Sequence, residues 1–234
     1  KINVNLYEEI TSIIKSEGTF ELTTKKNNYL SKSVIIATGF YDFPYLLNIP
    51  GENLSKVKHY YSEPHPYFGM DLAIIGSANS AVDAALETYR KGAKSVTMII
   101  REKEIGENVK YWARPDIVNR INEGSIKAHF ESNVKKITTD TILIETPRKE
   151  ISIKNDFVLA MTGYQPNFKL IESLGVEFQK DEHRTPVYNN KSMQSNVPGV
   201  YLAGVVCGGL KTNKWFIENS REHAPKIVNS IINS

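Results

Sequence analysis

The sequence predicts an α/β fold, and three observations carry that reading. A short apolar strand, Asp71–Ile75, runs into the turn Gly76-Ser77-Ala78-Asn79-Ser80-Ala81 and a helical pattern over Asn79–Lys91, with a second apolar strand at Ser95–Ile100. Two other apolar strands each end in Thr-Gly: Val34–Ala37 meets Thr38-Gly39, and Phe157–Met161 meets Thr162-Gly163. The remaining segments are rich in β-branched residues and punctuated by Gly and Asn.

Residues 2–38 read as a small antiparallel β unit, INVNLYEEITSII followed by TFELTTKKNNYLSK and SVIIATG, with Gly18 and Asn27-Asn28 as turns. Residues 40–70 hold Pro44, Pro50, Pro64 and Pro66, the chemistry of a loop or linker. The 79–91 helix gathers Ala81, Val82, Ala85, Leu86 and Tyr89 on one face, and Gly92 stops it. Asp116–Asn122 reads as helix, and IKAHFE, VKKITTDTILIET and ISIKNDFVLAMTG read as β segments. A loop-rich stretch, a strand in GVYLAG (199–204) and one long helix over about Asn213–Ile232 close the chain.

Composition narrows the class. Of 234 residues, 41% are apolar and 24% charged, as in an ordinary globular protein. The apolar runs are too short to span a bilayer, and no signal peptide opens the chain, which favours a cytoplasmic protein with no membrane partner. The net charge of +3 is spread in short mixed clusters and does not argue for nucleic acid. A single cysteine, Cys207, excludes a disulfide framework and any internal Cys-x-x-Cys pair. The five histidines, His59, His65, His129, His183 and His223, show no metal-ligand spacing, so no metal is expected. The chain opens Lys-Ile-Asn-Val without an initiating Met and inside a β segment, which reads as part of a longer protein.

A strand, a glycine turn, a helix and a second strand form the βαβ unit that a dinucleotide fold requires. Backbone N–H groups at the helix start, reinforced by its dipole, favour a pyrophosphate. Gly76 permits the turn and Ala81 suits close helix–strand packing. Ala78 departs from the pattern, standing where a second Gly is usual. The turn alone fits a phosphate cradle and a plain strand-to-helix corner equally. The second strand ends in Arg101 rather than an acidic residue, which favours the 2′-phosphate of NADPH over the ribose of NADH. Lys103 is placed to assist, and Glu102 is read as pointing away. The competing reading of Arg101 is a solvated surface charge.

At this point eight segments fall in a familiar order: VIIATGFYDFP, IPGE, HYYSEPHPY, GSANSAVDAALE, KYWARPD, MTGYQPN, VYLAGVVCGG and FIENSREHA. Together they resemble the thioredoxin-reductase-like flavoproteins, and among them the bacillithiol-disulfide reductase (YpdA-type) group. The resemblance implies two Rossmann-like, three-layer dinucleotide-binding domains: an incomplete FAD domain over 1–57 and 164–234, and an inserted NADPH domain over 58–163. It places Gly76, Ser77, Ala78, Asn79, Ser80, Ala81, Arg101, Lys103, Thr162 and Gly163 at NADPH. It places Thr38, Gly39, Gly204, Val205, Lys214 and Trp215 at FAD. The helix start after Lys211-Thr212-Asn213-Lys214, with a lysine, would stabilise the negative charge of a reduced flavin beside Trp215 and Phe216, against the plainer reading of a helix capped by Asn213 with Trp215 and Phe216 as two core aromatics.

The implied activity is NADPH-driven reduction of a low-molecular-weight disulfide, with a small-molecule disulfide as substrate. The catalytic cysteine would lie in an N-terminal segment beside the first FAD fingerprint, outside this chain. HYYSEPHPYFGM carries no cysteine where thioredoxin reductases carry Cys-x-x-Cys, and Val205 stands where those enzymes have Asp. Cys207 is the remaining candidate thiol, and its plainer reading is a buried small hydrophobe. His223 could face a substrate cleft. Two alternatives stay open: a ferredoxin- or flavodoxin-NADP reductase of the same architecture, needing no thiol, and a non-catalytic NADPH-binding module. Assembly as a homo-oligomer is also open. Because the adenosine cradle of FAD is expected outside residues 1–234, a purified chain of these residues should show no stoichiometric flavin absorption band. A band at one flavin per chain overturns that expectation.

Overall fold

The computed structural model describes residues 2–233, so both terminal residues lie outside the described part. The chain divides after residue 43 and after residue 163, giving a compact unit of 44–163 and a second unit made of the rest.

The second unit opens with an antiparallel meander of β1 (Ile10–Ser16), β2 (Thr19–Thr24) and β3 (Asn28–Ser31). Residues 2–9, read as strand from the sequence, are not: a turn there holds Tyr7 at φ +55°, and pairing starts only at Ile10. β4 (Val34–Ile36) and the two-residue β5 (Phe43–Pro44) follow.

Unit 44–163 is built on one parallel sheet. Its strands are β6 (Val57–Lys58), β7 (Asp71–Ile75), β8 (Ser95–Ile99), β9 (Lys127–His129) and β13 (Phe157–Ala160), in the order β6-β13-β7-β8-β9. Alternation along β7 explains why its run is wholly apolar. Leu72 and Ile74 pack against α1 (Asn79–Arg90) and α2 (Arg114–Asn122), while Ala73 and Ile75 pack on the other face. That other face is covered by a meander of β10 (Asn133–Ile137), β11 (Thr141–Glu145) and β12 (Glu150–Lys154), through Ile137, Ile142 and Ile144. The stretch 134–146, read as one β segment, is two strands because the Thr138 hydroxyl accepts the Thr141 N–H and closes a turn.

α1 follows its sequence pattern. Ala81, Ala84 and Ala85 are fully buried, and such small side chains let the helix lie close on the sheet. Gly92, at φ +89°, stops it: its N–H reaches Tyr89 O and the Ala93 N–H reaches Thr88 O, the paired bonds of a Schellman turn.

The linker reading of 40–70 and the boundary at 57 both need correction. β6 pairs with β13, and Val57 is buried in the sheet core. Upstream, Ile137 N–H donates to Pro50 O, and Gly51 lies so close to this strand that a Cβ would sit 1.8 Å from Ile137 O. The buried Glu52 carboxylate accepts the N–H groups of Leu47 (2.6 Å) and Asn48 (2.7 Å). Residues 44–57 are therefore pinned to the parallel-sheet unit.

After β14 (Tyr164–Gln165) and α3 (Lys169–Ser173), β15 (Val200–Leu202) pairs in parallel with β4. The long helix expected over Asn213–Ile232 is instead α4 (Ile217–Ser220) and α5 (His223–Ile232). Pro225 explains the break: in a continuous helix its ring would clash with the Arg221 carbonyl and leave that acceptor without a donor. Asn213 is not the cap; Phe216 holds that position, and its N–H donates to Asn219 Oδ1 at 2.7 Å.

Gly51 combines φ +87° with backbone contact that a side chain cannot escape. Gly51→Ala is expected to lower stability by about 3 kcal/mol. Urea unfolding followed by circular dichroism checks this; an unchanged midpoint at constant slope refutes it.

Candidate functional site

The carboxyl ends of β7, β8 and β13 open onto a cleft of about 650 Å³, contained within unit 44–163. Such a position, past the ends of parallel strands, is where open α/β sheets bind ligands. Its floor is the turn after β7. Gly76 has φ +124°, and a Cβ there would lie 2.5 Å from Met161 O, so only glycine lets β7 and the end of β13 meet this closely. Ala78 is at φ −82°, ψ −179°, an extended conformation open to any residue, and it is exposed; its methyl group does not distort the turn. α1 then starts at Asn79 with no side chain capping it, leaving its first N–H groups to the cleft side.

Of the residues assigned to NADPH from the sequence, Gly76, Ser77, Ala78, Ser80, Arg101, Thr162 and Gly163 all line this cleft. Asn79 does not; its Oδ1 accepts the Lys110 N–H at 2.9 Å and fastens the 101–113 loop to α1. Ala81 is fully buried against the sheet. Lys103 lines a separate hollow with Ile105, Arg114 and Phe130.

Arg101 is exposed and makes no ion pair among the described residues. Glu102 does not point away. It lines the cleft beside Arg101, and its Oε2 accepts the Ser77 hydroxyl at 2.8 Å. The reason is that β8 ends at Ile99; residues 101–104 form bends, where strand alternation no longer separates neighbours.

Sequence reasoning also missed one wall. Tyr45, Leu46, Leu47 and Ile49 line the cleft opposite the turn, held by Tyr45 N–H to Gly163 O (3.0 Å), Thr162 Oγ1–H to Tyr45 O (2.5 Å), and the Glu52 carboxylate. The IPGE motif was the available signal: Pro50, Gly51 and Glu52 each fix that wall.

The residues assigned to FAD lie in the other unit. β4 and β15 are adjacent and parallel, so the Thr38-Gly39 and Gly204-Val205 turns leave the same end of the pair. Gly39 (φ +79°) and Gly204 (φ +74°) use backbone that side chains rarely adopt. His223 Nδ1 accepts the Gly204 N–H at 3.1 Å, which fixes the turn and leaves the ring's Nε2 protonated. Burial, and to a lesser extent the charge of Lys226, holds the His223 pKa below its ordinary value, in line with the acceptor role of Nδ1. His223 is 2% exposed, buried rather than facing a substrate cleft. Lys214 is exposed, 5.5 Å from the centre of the Trp215 ring, and its side chain borders a polar hollow with His183 and Lys211.

Cys207 is fully buried. Desolvation pushes its thiol pKa up to about 12, with smaller opposing effects from a backbone hydrogen bond and Lys214. At neutral pH it is a buried thiol, the reverse of an activated nucleophile. No group of three or more His, Cys, Asp or Glu suited to a metal occurs among the described residues. None of the described helices is long and apolar enough to cross a membrane.

The sequence profile of the pyridine nucleotide-disulphide oxidoreductase family matches residues 1–204. The chain is 44% identical over 215 residues to "Bacilliredoxin reductase Bdr" of Bacillus subtilis, covering 92% of this chain and 66% of that protein. It is 30% identical over 246 residues to "Ferredoxin--NADP reductase 2" of Listeria innocua, covering 98% and 70%. The solved structure of "Bacillithiol Disulfide Reductase Bdr (YpdA)" from Staphylococcus aureus superposes with a TM-score of 0.93 at 37% identity, covering 99% of this chain and 72% of that one. With its parallel sheet, its glycine turn and this match over most of its length, the chain belongs to the pyridine nucleotide-disulphide oxidoreductase family.

Proposed function

We propose that this chain is the larger part of an NADPH-dependent FAD flavoprotein that reduces a low-molecular-weight disulfide of the bacillithiol disulfide kind. The observation that carries the nucleotide half is the cleft of unit 44–163, where a glycine turn, a helix start with no side-chain cap and an arginine without an ion pair among the described residues face one space. On this reading 44–163 is the NADPH domain and the other unit is part of the FAD domain. The substrate class rests on the Bdr relatives, one of them named a bacillithiol disulfide reductase. Identity to the ferredoxin–NADP reductase is lower, 30% against 44%, so electron delivery to ferredoxin is the second reading.

Each protein group has a task that follows from its chemistry. The amides of Ser77, Ala78 and Ser80 at the start of α1 hold the pyrophosphate. Arg101 offers paired, charge-assisted hydrogen bonds to the 2′-phosphate. Thr162 and Gly163, at the end of the third strand, would complete the hold on the nucleotide. In the other unit Thr38, Gly39, Gly204, Val205, Lys214 and Trp215 are the residues that would hold FAD. The bound cofactors supply two-electron chemistry: NADPH, a proton and one disulfide give NADP⁺ and two thiols. The thiol that meets the disulfide lies outside residues 1–234, since Cys207 is the only cysteine here and is buried. Such chemistry belongs to a thiol-reducing compartment, and we assign the protein to the cytoplasm.

Arg101→Ala should weaken NADPH binding about 10- to 100-fold, from the loss of roughly 1.5–3 kcal/mol for a hydrogen bond to a charged group. NADH affinity should hardly change. Paired titrations of both cofactors check this; equal losses indicate a general folding role, and no loss makes Arg101 a surface charge. In the full-length protein, Cys207→Ala should keep most NADPH-driven disulfide reduction. Loss of activity with fold and flavin intact would make Cys207 the redox thiol.

A further inference from the structure

Two opposite charges, adjacent in sequence, face the same cleft without neutralising each other. Arg101 has no ion-pair partner among the described residues, while Glu102 is engaged by Ser77. The backbone of Glu102 is fixed as well: its carbonyl accepts the Glu131 N–H at 3.0 Å, and the neighbouring Ile100 carbonyl accepts Ser132 N–H at 2.9 Å. With one carboxylate oxygen on the Ser77 hydroxyl, the other takes no hydrogen bond from the described residues. A free carboxylate oxygen is thus held between the glycine turn and the end of β8.

That place is where the adenosine ribose of a dinucleotide lies when its pyrophosphate sits on the turn. A carboxylate there accepts hydrogen bonds from unmodified ribose hydroxyls and repels a 2′-phosphate. An arginine there does the reverse. Resting on the reading of this cleft as the nicotinamide nucleotide site, we propose that Glu102 is a specificity-determining residue: it binds the ribose of the unphosphorylated cofactor and holds back the 2′-phosphate selectivity that Arg101 confers. The site then takes both cofactor types, with a graded preference for the phosphorylated one.

The test uses two fragments that occupy only the adenosine half, 2′,5′-ADP and 5′-ADP, titrated calorimetrically into the wild-type chain and into Glu102→Gln. Glu102 is exposed, and its one side-chain hydrogen bond among the described residues is one that glutamine can keep, so the variant folds. Removing the charge should tighten 2′,5′-ADP by about fivefold and weaken 5′-ADP by a similar factor at low ionic strength. The gain for 2′,5′-ADP should shrink in about 0.5 M salt, as a screened repulsion must. Opposite shifts for the two fragments support the proposal. Equal shifts for both, or none, overturn it while leaving the cleft as a nucleotide site. Failure of the wild-type chain to bind either fragment would instead overturn the nucleotide reading itself.

Discussion

Three parallel strands of unit 44–163 end around a single α-carbon, that of Gly76. Its N–H donates to Ile99 O at the end of β8, and its α-hydrogen side faces Met161 O just past β13. Any side chain would hold these strand ends apart. The constraint is steric and local, yet the cleft follows from it. The turn can tuck under the strand ends, α1 starts directly beyond, and the amides at the start of α1 face a space bounded by three strands rather than open solvent. The alanines of α1 extend the same close approach over the length of the helix.

The opposite wall of the cleft depends on a different interaction, a buried carboxylate. Glu52 satisfies two backbone N–H groups of an irregular segment that no sheet supports. Irregular backbone beside a binding site is usually mobile, because few hydrogen bonds hold it. Here a charge-assisted pair, together with the bonds between Tyr45 and residues 162–163, gives a loop the order of a strand. The cleft therefore has two walls of comparable order, one from the sheet and one from side chains. A fold that serves many functions can keep such a cleft while its other parts vary.

Elements whose information is local were legible in the sequence. The apolar run of β7, the alanine face of α1 and its Gly92 stop need no distant partner to be recognised, and the structure places them as read. The turn residues that line the cleft were legible for the same reason. What escaped depends on contacts far along the chain. Residues 44–57 looked like linker because prolines and short strands carry no periodicity; their place is set by Ile137 and β13, some eighty to a hundred residues later. Glu102 was misread because alternation was extended past the end of β8, where bends replace the strand. The split of the last helix, by contrast, was legible at Pro225 and was overlooked. Among the residues assigned to the flavin from the sequence, only the shared Thr-Gly and Ala-Gly strand endings gave a signal. The parallel pairing that brings Gly39 and Gly204 to one end is a fact of topology.

The bond from Tyr45 N–H to Gly163 O joins the two ends of the 44–163 segment. Whatever chain carries this segment meets it as a tight hairpin loop, however many residues lie inside. The entropy of closing a loop grows with its length only while the loop is unfolded. A self-folding insert with touching ends spares its host that cost, and the host strands on either side need be no farther apart than neighbours in a sheet. Such a segment can be gained, exchanged or lost between related proteins without redesigning the surrounding fold.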